Sequence, residues 1–245
     1  MTAMPIPARL IQTYHSEYAF PPVFADCRRV ARRLHPRWEH RFFSDHAGRE
    51  FIRRRRPDLL ELYDFYPRPV QRADLFRVVA VHELGGFYLD LDVHLFHPLD
   101  ELRAARLVIA EEWRMSAEIY RARNHAPHGD VRDLFQIANY GFGAVRGHWF
   151  LGEVIEEMIR RAEFVNPSTC WNDDVLLSTG PDVLNAVYRR QRAELAAGTI
   201  LLRGRNDPPE PRAQFRDGEP WHFQFGRYGN HLMRSAWRTR DGHGA

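Results

Sequence analysis

Apolar positions recur along this chain in two alternating rhythms, one at helical and one at strand spacing. Val23, Phe24, Cys27, Val30, Ala31 and Leu34 share one face of a 3.6-residue period, which predicts an amphipathic helix over 22–34. Ala8 to Tyr14 reads as a first strand, Trp38 to Phe43 alternates like a second, and 47–56 returns to helix. The best-specified helix covers 69–84. Pro69 suits its opening turn, and Gly85 suits the left-handed position just past its end. Further on, Leu107 to Ala110 predicts a short strand, 137–145 a strand and turn, and 152–161 a helix. The turn Ser178-Thr179-Gly180-Pro181-Asp182 opens a helix over 183–192. This alternation argues an α/β fold. Proline, glycine and charge dominate 204–220, the composition of a mobile loop, and the aromatic stretch 221–237 is the last piece expected to be ordered. With no internal repeat and no linker-like stretch, a single domain over 1–245 is expected.

Within this pattern, Gly85-Gly86-Phe87-Tyr88-Leu89-Asp90-Leu91-Asp92 carries the most chemistry. Read as a strand, it points Phe87, Leu89, Leu91 and Val93 to one face and Tyr88, Asp90 and Asp92 to the other. Aspartate suits strand interiors poorly, so two of them interrupting a strand-forming run mark a place where function overrides propensity. Carboxylates ~6.6 Å apart along a strand can share a hard divalent cation and a sugar hydroxyl. That is the need of an enzyme that holds a nucleotide diphosphate through Mg²⁺ or Mn²⁺. The competing reading of the triplet alone is a solvated strand edge with two surface acids. On the preceding helix, Asp74 and Arg77 stand three residues apart on one face. They form either an ordinary intrahelical ion pair or one wall of the same cleft, where an acid binds sugar hydroxyls and an arginine binds hydroxyls or phosphate.

Composition sets the bounds. A chain of 245 residues can bury roughly 70–75% of its unfolded surface. No stretch approaches the ~20 apolar residues of a membrane span, and no secretory leader is visible at Met1 to Pro7. A cytoplasmic location is expected, with peripheral attachment at the inner membrane face left open. Cys27 and Cys170 lack metal-like spacing and read as free thiols in a reducing compartment. The formal net charge is +3, and all 35 lysine-or-arginine positions are arginine. The run Arg53-Arg54-Arg55-Arg56 reads as the solvated end of a helix stopped by Pro57. One such run at modest overall charge, without a recognisable binding motif, argues against a nucleic-acid partner.

The segments Gln71-Arg72-Ala73-Asp74-Leu75-Phe76-Arg77 and Gly85 to Asp92 together resemble the signature of glycosyltransferases with a DXD-containing sugar-binding region. That group includes yeast Golgi initiating mannosyltransferases, inositol-phosphoceramide mannosyltransferases and bacterial capsular enzymes, with the large clostridial toxin glucosyltransferase domains as distant relatives. The resemblance extends to Ile6-Pro7-Ala8-Arg9-Leu10-Ile11-Gln12-Thr13-Tyr14, where Ile11 stands for the family's usual His and Tyr14 for its usual Trp. It continues in Asn139-Tyr140-Gly141-Phe142 and in Thr179-Gly180-Pro181, a turn read here as architectural. His231-Leu232-Met233-Arg234-Ser235-Ala236-Trp237 is similar to the closing element, with Ser235 one place early.

The resemblance implies a GT-A fold, a central mixed sheet flanked by helices, with the donor at the carboxyl ends of the strands. It implies a metal-dependent hexosyltransferase that uses a UDP- or GDP-sugar with Mn²⁺ or Mg²⁺ and retains anomeric configuration. The acceptor would be a hydroxyl of a glycan, lipid-linked sugar, small molecule or protein, and surface-polysaccharide assembly is one expected setting. Asp92, Asp90 and His231 would hold the metal, and Asp74 and Arg77 would grip the donor sugar near Asn139. Tyr14 would stack on the base, and Ser235 and Trp237 would close a lid over the pyrophosphate. The rivals are a non-catalytic nucleotide-sugar-binding module and a metal-dependent phosphohydrolase. The second lacks the threonine that its common Asp-x-Asp-x-Thr pattern requires, because position 94 is His94.

Overall fold

The computed structural model describes residues 4–16, 18, 20–114, 116–118, 135–195, 197–203 and 223–232. Its first strand, β1 (Arg9–Thr13), pairs in parallel with β2 (Glu39–Phe43) on one side and β3 (Gly86–Leu89) on the other. β3 then meets β7 (Gly141–Ala144) antiparallel, and β7 meets β5 (Leu107–Arg114). β6 (Phe135–Ile137) and β8 (Thr199–Leu202) both pair with β5, the latter in parallel. This is a mixed sheet of order β2-β1-β3-β7-β5-β6. A smaller antiparallel sheet joins β4 (Val93–Leu95), β10 (Gly229–His231) and β9 (Phe223–Phe225).

Alternation along the strands fills two cores, one on each face. Ile11, Tyr88, Leu107 and Ile109 point to one; their neighbours Leu10, Phe87, Leu89, Val108 and Ala110 point to the other. The first core lies under α2 (Asp45–Arg55), α4 (Pro69–Leu84), α5 (Trp149–Ala162) and α7 (Pro181–Arg190). The second takes Ala31 from α1 (Pro22–Leu34) and Phe225 from the small sheet. α4 has Leu75, Phe76, Val78, Val79, Ala80 and Val81 all buried, so it carries no solvent stripe and is wedged between sheet and helices. Shorter helices among the described residues include α3 (Leu60–Phe65), α6 (Asn172–Ser178) and α8 (Arg192–Leu195).

The joint between α4 and β3 determines where function can sit. Gly85 adopts φ 66° and ψ 166°, and Gly86 adopts φ 117°. Gly85 is therefore extended rather than truly left-handed, in a region essentially reserved for glycine. A Cβ on Gly85 would also stand 2.9 Å from the Arg146 backbone nitrogen. The chain reverses within these two residues, so the amino-terminal half of α4 returns over the carboxyl end of β3.

The helices over 22–34 and 69–84 occur with the limits their apolar period and flanking residues predict. α2 starts earlier than expected, at Asp45, because the Ser44 side chain caps it by accepting from the Ala47 amide at 3.2 Å. Its last turn holds Arg53, Arg54 and Arg55 in solvent, as the charge run suggests. Cys27 and Cys170 are free thiols.

The strand expected over 87–93 is a correction. β3 stops at Leu89, and Asp90-Leu91-Asp92 forms a turn closed by the Val93 amide on the Asp90 carbonyl at 3.1 Å. The reason lies in the partner: β7 begins at Gly141, opposite Leu89, and past that pair the Asp90 amide makes one further bond, to the Tyr140 carbonyl at 2.8 Å, before the chain turns. Aspartate favours turns. Val93 then starts a different sheet, and Tyr88 faces the core under α4 instead of a cleft. β5 runs on to Arg114, past the expected end at Ala110. The segments 204–220 and 233–237, assigned from sequence to a loop and to part of a lid, lie outside the described residues, whereas Phe223–Phe225 and Gly229–His231 are paired strands.

Gly143 stands opposite Phe87 in the β3–β7 ladder, and a Cβ there would fall 2.4 Å from the Phe87 ring carbon Cδ1. Gly143→Ala is expected to destabilise the fold by about 1–3 kcal/mol through overpacking. Chemical denaturation should show the loss, and adding Phe87→Leu should recover part of it because the two positions share one clash.

Candidate active site

The turn after β3 carries two carboxylates, Asp90 partly and Asp92 largely buried, at the carboxyl end of the sheet, where ligands of open α/β sheets bind. Asp90 is held from behind. Its Oδ1 accepts from the Tyr88 hydroxyl at 2.6 Å and lies 3.4 Å from an Arg77 guanidinium nitrogen. The same guanidinium reaches Asp74 at 3.1 Å, donates to the Asn139 carbonyl at 2.9 Å, and sits 4.8 Å over the Tyr88 ring. Helical i,i+3 spacing places Asp74 and Arg77 on one face of α4, and the glycine reversal brings that face to Asp90.

Asp74 is 2% exposed and has three partners. Oδ1 takes Arg77 and the Asn139 side-chain amide at 3.3 Å, and Oδ2 takes the Thr179 hydroxyl at 2.9 Å. Burial pushes the Asp74 carboxyl up to about 7, against the pull of Arg77 and of the Thr179 hydrogen bond. Burial likewise raises Asp90, with Arg77 opposing. Burial disfavours the Arg77 charge, yet the surrounding Asp90, Tyr88 and Asp74 more than offset this and raise its pKa. Tyr88 is pushed well above its usual range by burial and stays a neutral donor to Asp90.

The second part of the site arrives from the far end of the sequence. β10 pairs with β4 so that His231 faces Val93, and the Leu232 amide donates to the Asp92 carbonyl at 2.9 Å. His231 Nε2 then stands 3.1 Å from Asp92 Oδ1 and 4.0 Å from Asp90 Oδ2. Its ring stacks on Tyr140 with centroids 4.2 Å apart. Burial alone would lower the imidazole pKa, but the Asp92 hydrogen bond and both carboxylate charges raise it. One ligand atom from each of Asp90, Asp92 and His231 can be chosen so that all lie within 4.8 Å of one another. Two carboxylates and an imidazole form a donor set suited to a divalent cation of the Mn²⁺ or Mg²⁺ kind. His231 Nδ1 is buried and has no hydrogen-bond partner among the described residues.

The structure thus brings together Asp74, Arg77, Asp90, Asp92, Asn139 and His231. Tyr14 lies at the carboxyl end of β1, half-buried among His15, Phe20 and Phe24, on the same end of the sheet. Ser235 and Trp237 lie outside the described residues. Three participants were not assigned to the site from sequence. Tyr88 was placed on the acids' face as strand filler; Thr179 was read as turn architecture, and Tyr140 was noted only as a neighbour of Asn139. A polar or aromatic residue within a few positions of an assigned one is the signal that each of them carried.

Residues 21–109 match the model of the glycosyltransferase sugar-binding region containing the DXD motif. The chain is 30% identical over 188 residues to inositol phosphoceramide mannosyltransferase 3 of Schizosaccharomyces pombe, covering 76% of this chain and 46% of that protein. It is 26% identical to inositol phosphoceramide mannosyltransferase 2 of the same yeast, covering 77% and 50%. It is 24% identical to the initiation-specific alpha-1,6-mannosyltransferase of Candida albicans, covering 63% and 43%. The chain spans about half the length of the first two relatives, or less. Among solved structures, the PaToxG glycosyltransferase superposes with a TM-score of 0.52 at 10% identity, over 79% of this chain and 72% of that one. The fold is of the GT-A type.

Two outcomes test the electrostatics. Arg77→Met leaves Asp74 and Asp90 without their shared cation and is expected to lower stability by about 3–5 kcal/mol in chemical denaturation. Asp74 has its folded pKa near 7, above the unfolded value of 3.8. Its contribution is therefore fully present below about pH 4 and fades as pH rises through 7. Asp74→Asn should flatten that decline in a stability–pH profile.

Proposed function

We propose that the chain belongs, through residues 21–109, to the glycosyltransferases whose sugar-binding region contains a DXD motif, and that it moves a hexosyl unit from a UDP- or GDP-sugar to a hydroxyl acceptor, with retention of configuration. Mannose is the first sugar to try, because the names of the curated relatives carry it. The observation that supports the reading most is the juxtaposition of Asp90, Asp92 and His231 with the Arg77–Asp74 pair.

Asp92, Asp90 and His231 fit a divalent cation by donor chemistry and by the mutual reach of their ligand atoms. A cation bound there would supply Lewis-acid stabilisation to the departing nucleotide diphosphate. Arg77 would orient the donor sugar by its hydroxyls while it neutralises Asp90. Asp74 keeps one lone-pair position on Oδ2 beyond its three present partners, and that position would accept a sugar hydroxyl. Tyr14 would offer its ring to the base.

Every carboxylate of the cluster is already committed to a cation or a hydroxyl. Asp74 serves Arg77, Asn139 and Thr179; Asp90 serves Tyr88 and Arg77; and Asp92 serves His231. The proton of the acceptor hydroxyl would therefore pass to the departing diphosphate oxygen, on the face from which it leaves. The acceptor would be a hydroxyl of a glycan, a lipid-linked sugar, a small molecule or a protein. The relatives named for inositol phosphoceramide make a glycolipid precursor the first to assay. No helix among the described residues is long and apolar enough to cross a membrane; contact with a lipid acceptor is proposed to be peripheral, at the cytoplasmic face.

A panel of UDP- and GDP-sugars, incubated with Mn²⁺ or Mg²⁺ and followed for nucleotide release and product anomer, should reveal one preferred donor. Asp92→Ala or a chelator should reduce turnover to background, and full activity after either defeats the metal assignment. Tyr14→Ala should raise the donor KM roughly 5- to 150-fold, the equivalent of one lost base stack, with little change in kcat.

A further inference from the structure

We propose that Thr179 is a positioning residue for the donor-sugar pocket, its hydroxyl holding the Asp74 carboxylate so that one lone pair of Oδ2 faces the sugar. The inference rests on the function proposed above and assigns a task to a turn that otherwise reads as architecture.

Thr179 closes α6 and is wholly buried. Its amide donates to the Val175 carbonyl at 3.1 Å and the next amide, Gly180, to the same carbonyl at 2.9 Å. Pro181 then opens α7. A Cβ on Gly180 would lie 2.8 Å from the Leu176 Cα, so the elbow between the two helices is drawn as tight as glycine allows. The Thr179 backbone therefore has no freedom to carry its side chain elsewhere.

A threonine hydroxyl has one proton to give. Two acceptors lie within reach, Asp74 Oδ2 at 2.9 Å and the Val175 carbonyl at 3.3 Å. The Asp74 oxygen is the nearer of the two, so it takes the proton. Asp74 Oδ1 is filled by Arg77 and Asn139, and a carboxylate offers about four lone-pair positions in all. The fourth belongs to Oδ2, and the direction of the Thr179 bond decides where it points. One turn earlier on α4, Gln71 donates to Ser178 at 2.9 Å. That bond already fastens the elbow to the helix. Thr179 instead spends its only proton on an acid that also grips Arg77.

Two variants separate this role from packing. Thr179→Val keeps the volume and removes the donor, and Thr179→Ser keeps the donor and removes a methyl. For nucleotide-sugar turnover, Thr179→Val is expected to lower kcat by about 5- to 150-fold, the range that follows from leaving a buried acceptor one partner short. Thr179→Ser should stay within about threefold of the unmodified chain. In carbon NMR, the Asp74 carboxyl should titrate at higher pH in Thr179→Val than in the unmodified chain, because a bond to its charged form is gone.

A Thr179→Val enzyme with unchanged kcat overturns the proposal. So does a Thr179→Ser enzyme as impaired as Thr179→Val, which would leave only the methyl packing. An unmodified chain that turns over no sugar nucleotide sinks the transferase reading, and the Asp74 titration in Thr179→Val still decides whether the hydroxyl holds the acid: an unshifted titration overturns that too.

Discussion

A single buried guanidinium, Arg77, makes this site possible. It stands between Asp74 and Asp90, and carboxylates taken out of water without a partner would each be penalised by several kcal/mol. One cation for two acids is an incomplete settlement, and the raised pKa values of both carboxylates reflect it. The Tyr88 ring beneath the guanidinium and the Asn139 carbonyl in front of it fix the plane of the fork. Asp74, Asp90, Tyr88 and Asn139 are all referenced to that one planar group.

Backbone devices deliver these side chains. The Gly85-Gly86 reversal folds α4 back over β3, which turns an i,i+3 pair on a helix into neighbours of a strand end. The early stop of β3 frees Asp90 and Asp92 from the pleat, and the small antiparallel sheet presses His231 against them. Tight loops of this sort hold polar groups at the rim of a rigid sheet, where a ligand can reach them.

Legibility in the sequence followed locality. The helix over 22–34 was readable from its apolar period, and the one over 69–84 from Pro69 and Gly85 at its ends. Asp90 and Asp92 stood out because they contradict the propensity around them, but the means of bringing them together was misjudged. Where a strand ends depends on its ladder partner, and Gly141 is too distant in sequence to announce itself. Asp74 and Arg77 were visible as a pair; their burial was not. His231 entered through family resemblance alone, since nothing in spacing links it to Asp92. Thr179 and Tyr140 act through contacts across the fold, which no local pattern encodes.

The delivery of His231 by β10 has a consequence for folding. Until β10 pairs with β4, Asp90 and Asp92 stand as neighbouring acids beside Arg77 with no imidazole opposite. Closing that gap requires a very long-range strand pairing, the slowest kind of step in folding. A chain in which β10 has not yet paired with β4 would keep its main sheet and the Arg77–Asp74 pair yet lack the imidazole that faces Asp92.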